Sequence, residues 1–254
     1  MKKIINNLFF IVFVLVTINC HAMQEWLRTN LQNLGVTQPK LSATEELKQI
    51  IEREGTFKKA GLKRIQQLIG MQADANLIAR DGKTPLLIAI ADYEPSDKPS
   101  DELLVVRLLA EFAKTDINKI YSGEGFTPLA IAAYDGKANI IPILLRFGAD
   151  IKTRDKNGNT PLILVTRLSD QKNAVAVAKQ LLDAGIDINA QNNNGETALY
   201  RAVLKKNYAL IRFLIENGAD ASIATNQGQT PLALAQANAD QQAIDLLMPK
   251  SQRI

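Results

Sequence analysis

Cysteine and histidine are almost missing from this chain: its 254 residues hold one of each, Cys20 and His21. Both fall at the end of an N-terminal stretch that reads as a secretory signal. Lys2 and Lys3 form a short basic region, and Leu8 to Ile18 is an unbroken apolar run of 11 residues. That run suits the apolar region of a signal peptide, about 7–15 residues long, and falls short of the ~20 residues a spanning helix needs. Cleavage after Ala22 puts two small residues, Cys20 and Ala22, at the −3 and −1 positions. The expectation is a mature chain without cysteine or histidine. Such a chain forms no disulfide. It also has no thiol or imidazole to serve as nucleophile, general base or zinc ligand.

Cys20 has a second reading, as the lipidated first residue of a bacterial lipoprotein. Thr17 and Asn19 stand where that motif favours Leu and a small residue, so the motif is met poorly. No second long apolar run follows, and a soluble mature chain is expected.

The excess of one charge sign over the other is also small, with 30 Lys and Arg against 26 Asp and Glu. The net charge is +4, and Lys2 and Lys3 supply two of those charges, so the mature chain falls to +2. The pI of 9.1 therefore overstates how basic the surface is. No lysine or arginine stripe stands out, which gives nucleic-acid binding little electrostatic support. A phosphate-cradling glycine loop is missing as well. Gly123-Glu124-Gly125 lacks a third glycine, and no His-Glu-x-x-His or cysteine pair exists. No cofactor and no metal are expected.

What the chain does have is repetition. Thr84-Pro85-Leu86, Thr127-Pro128-Leu129, Thr160-Pro161-Leu162, Thr197-Ala198-Leu199 and Thr230-Pro231-Leu232 stand 43, 33, 37 and 33 residues apart. A period near 33 marks a helical repeat array. In the unit Phe126 to Asp150, Thr127 is placed as an N-cap and Pro128 at the first helical position, where its missing N–H costs nothing. Leu129, Ile131, Ala132 and Ala133 form a short first helix, and Gly136 allows a tight turn. Ile140, Ile141, Leu144 and Leu145 recur at helical spacing as the buried stripe of a second helix. Gly148 then suits a left-handed helix end. Pro142 predicts that this second helix starts late or bends. Asp74, Asp116, Asp150, Asp187 and Asp220 mark the loop into each following turn. Asp81-Gly82, Asn157-Gly158, Asn194-Gly195 and Gln227-Gly228 mark turn tips.

These phrases, glycine turns and Leu-Leu stripes resemble the ankyrin repeat over residues 74–248, and more weakly over 42–73. The resemblance implies an all-α solenoid of stacked helix-turn-helix units joined by β-hairpin turns. Residues 42–73 read as a degenerate N-capping repeat, opened by a capping box at Ser42-Ala43-Thr44-Glu45 and carrying Leu62, Ile65, Leu68 and Ile69. Five repeats follow over 74–248, the last serving as C-cap, and 249–254 is a frayed tail. One family trait is missing. The histidine after Thr-Pro-Leu is replaced by Leu87, Ala130, Ile163, Tyr200 and Ala233, which implies a less rigid array.

Segment 23–41 precedes the cap. Trp26, Leu27, Leu31 and Leu34 can share one helix face there, packing on the first repeat, or else the segment is a flexible arm or a helix that docks a partner. The insert 92–100 reads as a tolerated loop or as a further partner contact. Four extra residues lie near Ser169 to Asn173 in the third unit.

The resemblance also implies a partner protein held by the hairpin tips and the exposed side of the first helix. Carried over from the threonines, the candidate residues are Arg80, Asp81 and Lys83, then Glu124, Phe126, Tyr134 and Asp135. The third unit adds Lys156, Asn157, Asn159 and Arg167. The fourth adds Asn193, Asn194, Glu196 and Lys205, and the fifth Gln227 and Gln229. Phe126 and Tyr134 stand out as aromatic anchors on one exposed ridge. The expected function is a non-enzymatic interaction module, periplasmic or secreted, that scaffolds or protects another protein. A secreted factor docking onto host protein is the alternative form. A carboxylate-based hydrolase using Asp81, Glu124 and Asp135 is the alternative class.

Overall fold

The computed structural model describes residues 42–54, 62–71, 73–78, 82–93, 101–111, 115–121 and 124–248. The signal segment, the 23–41 segment, residues 94–100 of the insert, Arg80, Asp81 and the tail 249–254 lie outside these residues.

The first helix pair is α1 (Ala43–Glu54) and α2 (Leu62–Gly70). The capping box forms at its start: the Ser42 N–H donates to Glu45 Oε2 at 3.1 Å, and the Glu45 N–H donates to Ser42 Oγ at 3.2 Å. Five further pairs follow. They are α3 (Pro85–Asp92) with α4 (Asp101–Glu111), α5 (Pro128–Tyr134) with α6 (Ile141–Arg146), and α7 (Pro161–Val165) with α8 (Gln171–Asp183). The last two are α9 (Ala198–Leu204) with α10 (Tyr208–Glu216), and α11 (Pro231–Ala237) with α12 (Gln241–Leu247).

The recurring threonine starts every first helix by one device. Each Thr side chain accepts the N–H three residues on, at 3.4 Å for Thr84, 3.3 Å for Thr127 and Thr160, and 3.2 Å for Thr197 and Thr230. The bond satisfies one of the orphan donors at the helix start and stabilises by about 1 kcal/mol. The donor in each case is the residue that stands at the histidine position. Pro142 falls in the first turn of α6, so that helix starts only at Ile141 and runs six residues. The extra residues of the third unit lengthen its second helix. Asp170 caps α8 by accepting from Lys172 and Asn173, and α8 runs 13 residues.

The pairs stack in two rows. First helices α3, α5, α7, α9 and α11 each touch the next, and so do α2, α4, α6, α8, α10 and α12. Leu86, Leu129, Leu162 and Leu199 from the first row and Leu109, Leu144, Leu181 and Leu214 from the second are buried between rungs. Each such leucine stabilises the stack by roughly 1.5–3 kcal/mol. The alanines Ala132, Ala133, Ala202 and Ala235 are fully buried and let neighbouring helices approach. Leu232 and Leu247, the matching residues of the last unit, are more open, because no further rung covers them.

Short turns join the pairs. Among the described residues no strand forms, and the hairpins close on single bonds. The N–H of Asp155, Asn192 and Thr225 donates to the carbonyl four residues on, each at 3.0 Å, and Tyr121 bridges Phe126. The loop aspartates act locally. Asp74, Asp116, Asp150, Asp187 and Asp220 each accept the N–H two residues ahead, at 2.8–3.1 Å. Neighbouring loops are then tied by asparagines. The Asp116, Asp150 and Asp220 N–H groups donate to Asn76, Asn118 and Asn189 of the preceding unit, at 2.6, 2.9 and 2.9 Å.

Candidate functional site

The hairpin tips form a continuous rung-to-rung chain. The Lys156 N–H donates to the Glu124 carbonyl at 3.1 Å, Asn193 to Asn157 at 3.0 Å, and Asn226 to Asn194 at 3.0 Å. Side chains double the chain. Asn193 Nδ2 donates to the Lys156 carbonyl at 3.1 Å and Asn226 Nδ2 to the Asn193 carbonyl at 2.9 Å. Lys156 and Glu124 form an exposed ion pair. Further along, Arg154 Nη1 donates to the Gln191 carbonyl at 2.7 Å and Gln191 Nε2 to the Ala224 carbonyl at 3.0 Å. These side chains bridge consecutive turns in an array that has no histidine to do so.

The aromatic pair departs from the sequence expectation in its exposure. Phe126 and Tyr134 are half-buried, with ring centroids 5.5 Å apart and planes tilted by 41°. Each ring shields the other. Phe126 also holds the bridge to Tyr121. The guanidinium of Arg167 lies over the Tyr134 ring, 5.0 Å from its centroid. A cation there gains roughly 0.5–2 kcal/mol from the ring quadrupole. Among the described residues the Arg167 side chain makes no hydrogen bond and no ion pair.

Arg167 opens onto a cavity of about 410 Å³ between the third and fourth units. Asn157, Asn159, Asn192, Asn193, Asn194 and Arg201 complete its lining. One connected polar chain builds its floor. Asn159 Nδ2 donates to Asp155 Oδ2 at 2.9 Å, and Asn192 Nδ2 donates to Asn159 Oδ1 at 2.8 Å. Asn192 Nδ2 also reaches Glu196 Oε2 at 2.9 Å, which accepts Arg201 Nη1 at 2.9 Å as well. Burial resists the charge of Glu196. Hydrogen bonds from Asn192, Arg201 and Asn194 and the Arg201 charge outweigh it, and hold the carboxyl below its ordinary 4.5. The Arg201–Glu196 pair is mostly buried, at 22% and 13% side-chain exposure.

The sequence expectation included Asn157, Asn159, Arg167, Asn193 and Asn194, and the fold brings all five to one cavity. It missed Asn192 and Arg201. A signal for Arg201 is present in the register. The residue four after each threonine is Ile88, Ile131, Leu164, Arg201 and Leu234, so one charged side chain stands among four aliphatic ones. Asn192 holds the hairpin position of Asp155 and Thr225, where a side-chain oxygen accepts two N–H groups of its own turn.

The remaining candidates lie elsewhere. Gln227 and Lys205 are exposed, Lys83 is half-buried, and none of them lines the cavity. Gln229 is engaged by the Tyr200 hydroxyl at 2.6 Å. Asp135 sits at the end of α5, where desolvation pushes its carboxyl above the ordinary 3.8 against the opposing charge of Lys137. Neither Glu124 nor Asp135 lines the cavity. Among the described residues no group of three or more His, Cys, Asp or Glu is placed to hold a metal. No helix there is long and apolar enough to cross a membrane.

Comparison with known proteins agrees with the architecture. The family model described as "Ankyrin repeats (3 copies)" matches residues 96–192 and 168–254. The chain is 29% identical over 190 residues to the mouse B-cell lymphoma 3 protein homolog, covering 74% of this chain and 40% of that protein. It is 34% identical over 161 residues to human neurogenic locus notch homolog protein 1, covering 63% of this chain and 6% of that protein. It is 34% identical over 112 residues to ankyrin repeat and SOCS box protein 6 of Pongo abelii, covering 41% of this chain and 26% of that protein. The chain thus spans less than half the length of these relatives. Five threonine-capped helix pairs stacked in two rows and a family match across residues 96–254 lead to one conclusion: the chain belongs to the ankyrin-repeat family, whose arrays point to protein–protein interaction.

Proposed function

We propose that this chain is an exported adaptor that holds another protein on its hairpin tips and first-helix face and performs no chemistry of its own. One observation carries the reading. Phe126, Tyr134, Arg167 and the polar cavity lie in unbroken contact on that face, and among the described residues the Arg167 guanidinium ends there without a hydrogen-bond partner. Aromatic and arginine side chains dominate the binding energy of protein interfaces. The lysine pair and the 11-residue apolar run at the N-terminus support export to the periplasm or the medium. Cell fractionation separates those two destinations, and N-terminal sequencing of the exported protein should begin at Met23.

The test is a comparison of captured partners. Wild-type protein and the Phe126→Ala/Tyr134→Ala double variant are used as bait in the compartment where the chain resides. The protein retained by wild type should bind the variant at least ~2 kcal/mol more weakly, about 30-fold. The rings shield each other and Arg167 lies over one of them, so the variant also loses about 2 kcal/mol or more of fold stability, and melting checks that it is folded. Unaltered affinity in a folded double variant refutes the assignment of this face.

A further inference from the structure

We propose that the cavity between the third and fourth units receives a carboxylate side chain, Asp or Glu, of the bound partner, with Arg167 as its main ligand. The inference rests on the partner-binding reading of this face and gives it a chemistry.

Two guanidinium groups line the cavity, and no acid does. Arg201 stands in a register that is aliphatic in the other four units. A charge there is expensive unless it is used, because burial strips it of water. Glu196 answers only part of that charge. Among the described residues the Arg201 side chain makes one hydrogen bond, from Nη1, and its buried Nε has no partner. Glu196 is already held by Asn192 as well, so it does not reach further into the cavity.

Arg167 distinguishes a binding site from a purely structural ion pair. Arg201 and Glu196 would suffice for structure. The Arg167 guanidinium lies over the Tyr134 ring, yet none of its five N–H donors meets an acceptor among the described residues. A guanidinium held over a ring and left unpaired matches the two oxygens of a carboxylate through parallel hydrogen bonds. Asn157 adds a neutral donor, since its side-chain amide is also unbonded there. A neutral amide ligand would leave Arg167 without a counter-charge and Arg201 with Glu196 alone. At about 410 Å³ the cavity admits a side chain together with its flanking backbone. The Phe126–Tyr134 ridge next to it would take an apolar neighbour of the acid.

The experiment is peptide selection from a random displayed library against the full chain, repeated with Arg167→Gln and with Lys179→Gln, an exposed cation on the second helix α8. Arg167 is exposed, so its replacement costs the fold no more than its contact with the Tyr134 ring, and thermal melting checks that the variant is folded. Peptides selected on wild type and on Lys179→Gln should carry an Asp or Glu at one fixed position, and those selected on Arg167→Gln should not. In a selected peptide with a capped C-terminus, changing that acid to its amide should weaken binding about tenfold on wild type and leave it unchanged on Arg167→Gln. Selection without acidic preference, or an acid effect that survives Arg167→Gln, overturns the inference. So does binding that vanishes when only the C-terminus is capped. If peptides still compete with the captured partner but show no acidic preference, the carboxylate pocket fails while the partner-binding face stands. Loss of the partner in Phe126→Ala/Tyr134→Ala but not in Arg167→Gln separates the two in the same way.

Discussion

Gly195 and Gly218 belong to the same repeat and both have left-handed backbone, at φ +75° and +88°. Replacing each by alanine should have different consequences. An L-residue in that region costs about 1–2 kcal/mol, offset by ~0.4–1 kcal/mol because the unfolded chain loses freedom too. At Gly218 nothing lies within 4 Å of the added Cβ, so that balance is all there is. Gly218→Ala should lose about 0.5–1 kcal/mol.

At Gly195 the Cβ would sit 2.6 Å from the Asn226 nitrogen and 2.5 Å from Asn226 Oδ1. Those atoms belong to the next hairpin tip. Asn226 has to move, and it carries two bonds to the fourth unit, its N–H to the Asn194 carbonyl and its Nδ2 to the Asn193 carbonyl. Each is worth about 1 kcal/mol net. Gly195→Ala should therefore lose about 3 kcal/mol, roughly 2 more than Gly218→Ala. Urea denaturation measures the difference, provided the slope is unchanged. Hydrogen exchange gives a second readout, since the Asn226 N–H should lose protection in Gly195→Ala and keep it in Gly218→Ala. Equal losses in the two variants would refute the idea that glycine is needed at the tip for the approach of its neighbour.

Leu144→Ala removes a fully buried side chain between two rungs and should cost about 3–4 kcal/mol, whereas Leu247→Ala at the uncovered last rung should cost about 2 or less. The same denaturation series compares them. Glu196 is held below its ordinary 4.5, so its contribution is complete above that pH and is lost as pH falls through the depressed folded value. Glu196→Gln should flatten the stability profile on the acid side of 4.5. Asp135 behaves oppositely. Its raised pKa makes the fold more stable at low pH and less so as pH rises through the raised value, and Asp135→Asn should remove that decline.

The parts of this fold that depend on one rung were legible in the chain. Thr160 caps its own helix, Gly158 turns its own hairpin, Pro142 delays its own helix, and Leu144 lies in its own stripe. Residue types and spacing suffice there because the partners are three or four positions away. The site is different, since it is made between rungs. Asn192 meets Asn159 across 33 residues, and Arg154 meets the Gln191 carbonyl across 37. No local periodicity records such a pairing. For the same reason, surface residues chosen by their place in the repeat turned out to serve the stack. Glu124 and Lys156 neutralise each other, Asn193 ties two tips, and Gln229 accepts from Tyr200.

What marks a site in a repeat array is a residue that breaks the repeat and remains unanswered by the stack. Arg201 breaks an aliphatic register, Arg167 has no counter-charge among the described residues, and they line the same cavity. A solenoid needs only equivalent rungs to be stable, and nothing in that requirement places two cations at one junction. The cost of Arg201 in a mostly buried row is borne at a single junction, and at that junction Arg167 over the Tyr134 ring supplies the donors that the fold leaves unused. Stability and recognition therefore diverge at the third and fourth units, where Arg167→Gln should cost the fold no more than the roughly 0.5–2 kcal/mol of its contact with the Tyr134 ring and remove the preference for an acidic partner.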